Sequence, residues 1–321
     1  MAKGPRLRAV WAAAGTAVAA AAVLLAVWPR QQPTNPPERL GDPAPAVSLV
    51  ERLAPEPKPL NILILGVDAD ETRADIILLA RWDPGANQVS MVSLPRDSLV
   101  PIPCPAEVPA CISPDKLGHA HAYGSVIGMG PALAIQTVEE FLGVRVDHYV
   151  RIHYDGFREI VDALGGITLE VEPAMVDHLE LEAGPQRLNG EQALHYVRFR
   201  SDPEGDFGRQ RRTQIFLREL ALQVLESFPR EELPGLVLRL MGKVETNLDA
   251  AALLAALRHV VEGGQTPAFR GTSLPGSPHW ERDLWFWTVD EAAAAAIIQE
   301  YINTPETVEV WAQPGDYAAV P

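Results

Sequence analysis

The sequence predicts an α/β fold, a three-layer αβα sandwich around a central mixed β-sheet, preceded by one transmembrane helix. Short apolar runs alternate with helix-patterned stretches from residue 60 onward. A twenty-residue uncharged apolar run lies close to the N-terminus. The segment between the two is too rich in proline for a regular helix or a central strand.

The apolar run, AVWAAAGTAVAAAAVLLAVW at residues 9–28, would make a helix roughly 30 Å long, enough to cross a bilayer. Lys3, Arg6 and Arg8 precede it, so the positive-inside rule leaves residues 1–8 in the cytoplasm and the rest of the chain outside. A cleaved signal peptide competes with this reading, but its apolar core is usually shorter, and no small-x-small cleavage site precedes PRQQP. The expectation is a single-pass protein of the cell membrane with an extracytoplasmic domain. Residues 29–59 carry nine prolines and read as a semi-stiff linker. The folded domain is expected over 60–305, with a tail at 306–321.

Within the folded part, LNILILGV, DIILLARW and VSMVSLP read as strands buried on both faces, the last two joined by the turn DPGANQ. A helix follows over 130–142, with Pro131 in its first turn and Gly143 just past its end. VDHYVRIHY reads as a strand, and the next helix takes Asp155 as N-cap and Gly165–Gly166 as its stop. ITLEV is a further strand, helices are expected near 207–228 and 249–261, and LWFWTVDEAAAAAIIQEYI reads as a strand and a final helix.

The formal net charge of −15 opposes general nucleic-acid binding, so an anionic ligand must be held by a local basic site. ALHYVRFRSDPEGDFGRQRR supplies one, with Arg198, Arg200, Arg209, Arg211 and Arg212 inside fifteen residues. Arg198 and Arg200 share a face only on extended backbone, which requires the preceding helix to end near Val197. The following helix is expected to take Asp206 as N-cap. Its core stripe of Leu217, Leu220, Val224 and Phe228, extended backwards by fours, turns Thr213 and Arg209 inward and Arg211 away, with Arg212 beside the stripe. An inward arginine implies an anionic partner, either internal carboxylates or a phosphorylated ligand. Upstream, Asp68 follows the first strand, Arg73 and Asp75 open the second, and Arg96 and Asp97 follow the third. Charges at strand ends form the usual ligand crevice of an open α/β sheet. Two carboxylates with several arginines suit Mg²⁺ and a pyrophosphate.

Other motifs carry less. Cys104 and Cys111, the only cysteines, close a short loop; an oxidising compartment favours a disulfide over two unlinked thiols, and no second Cys/His pair has zinc spacing. His119 and His121 have no further ligand nearby and read as part of a structural loop. No Walker loop follows Gly66, and no serine sits in a nucleophile elbow.

LGVDADETRAD, VSLPRDSL, DKLGHAHAYG, FREIVDALGGITLEV, LNGEQALHYVRFR and GDFGRQRR occur in an order and spacing that resemble the LytR-CpsA-Psr family over roughly residues 60–300. The resemblance implies a membrane-anchored phosphotransferase that moves a glycopolymer from a polyprenyl-pyrophosphate carrier to peptidoglycan, with the lipid tail in an apolar tunnel between sheet and helices. It implies that Asp68 and Asp75 hold Mg²⁺ (Mn²⁺ as the alternative), that Arg73, Arg96, Arg198, Arg200 and Arg209 bind pyrophosphate, and that Asp206 is a site carboxylate. The chain departs from the family pattern at Ile76, where a hydroxyl residue is usual, at Thr213, where glutamine is usual, and in a short loop from Asp68 to Asp75. Asp75, Arg96 and Asp206 are the expected catalytic set, with Asp75 or Asp206 as the base. Two rivals remain: a non-catalytic polyprenyl-pyrophosphate-binding regulator, and a lipid pyrophosphatase.

Overall fold

A computed structural model describes residues 57–303 except 69–72, 230–231, 250–251, 254, 257, 260–265 and 282. The expected transmembrane segment at 9–28, most of the linker and the tail at 306–321 lie outside the described residues. Among the described residues, no helix is long and apolar enough to cross a membrane.

The strands are β1 Leu60–Val67, β2 Ala74–Asp83, β3 Gln88–Ser93, β4 Leu99–Val100, β5 Asp115–Lys116, β6 His148–His153, β7 Ile167–Val171, β8 Gly184–Leu188, β9 Glu245–Thr246, β10 Ala268–Ser273, β11 Gly276–Glu281 and β12 Leu284–Val289. Six of them form one sheet in the order β10-β3-β2-β1-β6-β9. It is mixed: β1, β2 and β3 are an antiparallel meander, whereas β6 runs parallel to β1 and β10 parallel to β3. The central strands are buried on both faces, as their continuous apolar runs require.

The α-helices are α1 Leu117–Ser125, α2 Gly130–Leu142, α3 Tyr154–Ala163, α4 Val176–Leu179, α5 Gly190–Arg198, α6 Gly205–Ser227, α7 Leu233–Leu240 and α8 Glu291–Ile298. They cover both faces of the sheet. Ile62, Ile64, Leu78, Ala80 and Trp82 face a core built with α3, α5, α6 and α7. Their alternates Leu63, Leu65, Ile77 and Leu79 face a second core built with α1, α2 and α8. This is period-two alternation read out as two layers.

Several expectations are revised. ITLEV is a strand, but it pairs only with β8 in a separate ribbon. LWFWTV likewise pairs with β11 in a hairpin outside the sheet. His119 and His121 lie on helix α1, not a loop; His119 contacts Asp115 at 2.8 Å, and His121 is fully buried. His153, not Asp155, precedes α3, leaving Asp155 in the first turn where its charge still favours the helix N-terminus. Asp206 is not the N-cap of α6 either. Gly205, at φ +55°, already begins the helix, and the Asp202 carboxylate accepts from its N–H at 2.8 Å. In the expected 249–261 helix, residues 252–253, 255–256 and 258–259 are helical.

Cys104 and Cys111 are joined in a disulfide. Closing a loop this short contributes about 2–3 kcal/mol in the chain-entropy account. Cys104→Ser with Cys111→Ser is therefore expected to lower the urea midpoint, and a non-reduced digest of the native protein should yield the linked peptides; an unchanged midpoint would mean that the bridge adds no stability.

A candidate pyrophosphate site beside an apolar cavity

The topology collects charge at one end of the sheet. β1 and β6 are parallel and finish together at Val67 and His153, so Asp68 and Tyr154 follow side by side. β2 is antiparallel to both its neighbours, so its first residues share that end with the last residues of β3. Arg96 and Asp97 follow immediately.

Asp75 is aimed by an irregularity in the β1–β2 ladder. Gly66 pairs with Ile76 and Val67 with Ala74, leaving Asp75 as an extra residue. Such a bulge bends a strand and redirects its side chain. Gly66 permits it, because a Cβ there would lie 3.0 Å from that of Ile76. The Asp75 carboxylate accepts from Arg96 through Oδ1 and from the Tyr154 hydroxyl through Oδ2, the latter at 2.8 Å. Burial pushes its pKa up, but Arg96, the Tyr154 bond and Arg209 outweigh that and hold the carboxyl below its usual value. Tyr154 moves the other way, pushed up to about 12 by burial and by the Asp75 charge, so its hydroxyl stays a donor. The Arg198 guanidinium carbon lies 4.5 Å from the Tyr154 ring centroid, a cation–π contact.

The five clustered arginines divide into two sets. Helix α5 ends at Arg198, and Phe199 is extended (φ −61°, ψ 135°). Phe199 is therefore buried while Arg198 and Arg200 point outward. Arg200 reaches Asp206 at 3.4 Å, and Arg209 reaches the same carboxylate at 2.9 Å. Arg209 is 5% exposed, and its Nε is buried with no hydrogen-bond partner among the described residues. Burial lowers its pKa, partly offset by Asp206, and the guanidinium remains charged. An orphaned donor of that kind fits a site built for an anion. Arg211 and Arg212 serve the fold. Arg211 turns away from Arg209, as its helical phase requires, but lies within 3.0 Å of Glu172 and Glu204 instead of extending into water. Arg212 is fully buried, 2.6 Å from Asp202 and 3.3 Å from Glu172, and donates to the Phe199 carbonyl at 2.9 Å.

Asp75, Arg96, Asp206 and Arg209 thus act on one another electrostatically. Asp68 lies close enough to add to the upward pressure on Tyr154. Arg73 is exposed at the start of β2 and makes no ion pair with the cluster among the described residues. Among those residues, no three acidic, His or Cys side chains gather as a protein-only metal cage. Asp68 and Asp75 instead suit a hard cation of the Mg²⁺ type, which commonly rests on one or two carboxylates and completes its shell with substrate phosphates and water.

Sequence reasoning missed Tyr154 and Gln210. Tyr154 directly follows a strand parallel to the one that presents Asp68, and that placement was its available signal. Gln210 donates to Asp206 at 3.1 Å. Next to the polar pocket lies an apolar cavity lined by Ile64, Tyr154, Phe157, Val197, Phe216 and Leu220 among others. Ile76 and Thr213, two of the departures from the expected pattern, line both the cavity and the pocket that contains Asp75 and Arg209.

The model of the LytR_cpsA_psr family matches residues 37–303. A protein of Oceanobacillus iheyensis, polyisoprenyl-teichoic acid–peptidoglycan teichoic acid transferase TagU, is 31% identical over 249 residues, 75% of each chain. The crystal structure of Bacillus subtilis TagV superposes with a TM-score of 0.63 at 26% identity, covering 78% of this chain and 99% of that one. The LytR-CPS2A-psr family protein YwtF (TagT), solved with bound octaprenyl pyrophosphate lipid, shares the fold with a TM-score of 0.59 at 22% identity, covering 83% and 93%. The family match takes in every strand of the sheet and every arginine of the cluster, and the chain belongs to the LytR-CpsA-Psr family.

Proposed function

We propose that this protein transfers a glycopolymer from a polyprenyl-pyrophosphate carrier to a sugar hydroxyl of peptidoglycan. The observation that carries the reading is the shared wall of Ile76 and Thr213, with an apolar cavity on one side and a pocket containing Arg209 and Asp75 on the other. A lipid pyrophosphate has the same two halves, a hydrocarbon tail joined to a multiply charged head. The name of the 31%-identical O. iheyensis relative gives the same donor and acceptor classes. The run at 9–28, with three cations before it, supports a single-pass anchor that holds the domain outside the cell membrane.

Arg96, Arg198, Arg200 and Arg209 bind the pyrophosphate oxygens, with Arg73 at the rim. Asp68 and Asp75 would hold Mg²⁺ or Mn²⁺, which when bound supplies positive charge to those oxygens. The acceptor hydroxyl oxygen forms a bond to the sugar-linked phosphorus, the bond from that phosphorus to the bridging oxygen breaks, and polyprenyl phosphate leaves with the electron pair. Asp75, whose pKa is held down, stays ionised and is a poor proton acceptor. Asp206 takes the hydroxyl proton in this reading, and Tyr154 and Arg96 keep Asp75 in place.

The test is turnover of a polyprenyl-pyrophosphate-linked saccharide by the full-length protein, with and without peptidoglycan strands. Covalent attachment only when strands are present is expected, abolished by EDTA and restored by Mg²⁺. Release of phosphorylated saccharide at the same rate without strands would instead mark a pyrophosphatase, and binding without turnover a regulator.

A further inference from the structure

The hairpin of β11 and β12 carries three tryptophans that the site above does not use. Trp280 and Trp285 are directly opposed across the ribbon, with rings T-shaped at 5.3 Å, yet they remain 57% and 54% exposed. Trp285 and Trp287 lie two apart on one strand and so share a face of the ribbon. Trp287 is anchored: its backbone N–H donates to the Asp97 carbonyl at 2.8 Å, and its ring lies 4.8 Å from that of Phe207. Phe207 is in the first turn of α6, on the helix face of Arg211. Asp97 directly follows Arg96, so the backbone bond ties the ribbon to the rim of the site, and the Trp285–Trp280 pair lies about 7 Å further along it.

We infer that the hairpin is a sugar-stacking platform that holds the acceptor glycan strand, an inference that rests on the transferase reading above. Exposed aromatic side chains held together are common at binding surfaces, and flat rings offer a face to the C–H side of a pyranose at little entropic cost. The direction of attack fits. The apolar cavity lies on the core side shared with Ile64 and Phe216, whereas Trp287 and Val289 pack on the opposite side of the sheet. Attacking and leaving oxygens must be roughly in line, so a lipid leaving toward the cavity requires an acceptor arriving from the hairpin side. Charge does not favour a bilayer as the occupant, because the turn, with Glu281 and Asp283 on either side of Arg282, carries no basic excess and the chain is strongly acidic.

Two measurements on the full-length protein test this. The first is transfer kinetics of Trp280→Ala/Trp285→Ala with varied peptidoglycan strands: KM for the strands is expected to rise at least tenfold, with KM for the lipid donor unchanged, and Trp280→Phe/Trp285→Phe should recover most of the loss. The second is tryptophan fluorescence with a β-1,4-linked tetramer of N-acetylglucosamine, expected to respond in the native protein and not in the alanine pair. An unchanged acceptor KM, or no response to the tetramer, overturns the platform. Quenching by brominated-lipid vesicles without any tetramer response would make the patch a membrane contact and also overturn it. A Trp-dependent tetramer response in a protein that transfers nothing would uphold the platform and reject the transferase reading instead.

Discussion

Arg209→Lys is expected to lower transfer by about 10²–10³-fold while the protein stays folded. Lysine keeps the charge beside Asp206 but loses the planar fork, and with it the Nε donor that has no partner among the described residues. The loss should appear in kcat with a lipid-pyrophosphate donor, measured alongside the urea midpoint. Activity within threefold of the native protein would remove Arg209 from the pyrophosphate site. The neighbouring carboxylate gives a pH signature with a defined sign. Because the Asp75 pKa is depressed in the fold, its contribution to stability is fully present above the unfolded value near 3.8 and is lost as pH falls through the lower folded value. Arg96→Gln removes the largest of the influences lowering that pKa, so the acid limb of the stability profile should move to higher pH.

Arg212→Met should destabilise the fold by about 3–5 kcal/mol, the usual cost of removing one partner from a buried ion pair. It leaves Asp202, whose side chain is 6% exposed, as a buried anion without its guanidinium. Thermal denaturation should register a fall on the order of 10 °C. Asp202→Asn in the same chain should recover part of it, since it removes the buried charge and keeps an oxygen for the Gly205 N–H. An unaltered midpoint in Arg212→Met would mean that the cluster contributes nothing net. Arg211→Ala provides a contrast, because its carboxylate partners are partly solvated and screened, so a small loss of stability is expected.

These arginines show where the sequence is readable and where it is not. The inward phase of Arg209 follows from the spacing of Leu217, Leu220 and Val224, because helical period is a local property. The bounds of α2 follow equally from Pro131 and Gly143. The partners of Arg211 and Arg212 do not follow. Glu172 is 40 residues from Arg212, just after β7, and no periodicity connects them. The start of α6 is not legible locally: Asp202 accepts from the Gly205 N–H and the helix begins one residue before Asp206. ITLEV and LWFWTV are legible as strands, but alternation reports that a strand has an apolar face and not which strand it joins, so their ribbon partners β8 and β11 are not. Asp75 at the sheet end is legible; the bulge that turns it depends on the β1–β2 register and is not.

The position of β10 at the sheet edge bears on how the molecule is made. β3, all of whose residues are buried, borders β2 across a short turn on one side and β10 on the other, with Ala268 opposite Gln88. That second pairing spans 180 residues, as the Arg270–Ser90 bond across the same two strands shows. At ordinary rates of synthesis, the outer edge of β3 waits about 10–40 s for its neighbour to emerge. Until then the unfinished chain presents an unpaired strand edge to any other chain it meets. Folding yield should accordingly depend on how quickly the last third of the polypeptide follows the first, and truncation before residue 268 should give aggregates instead of a smaller folded protein.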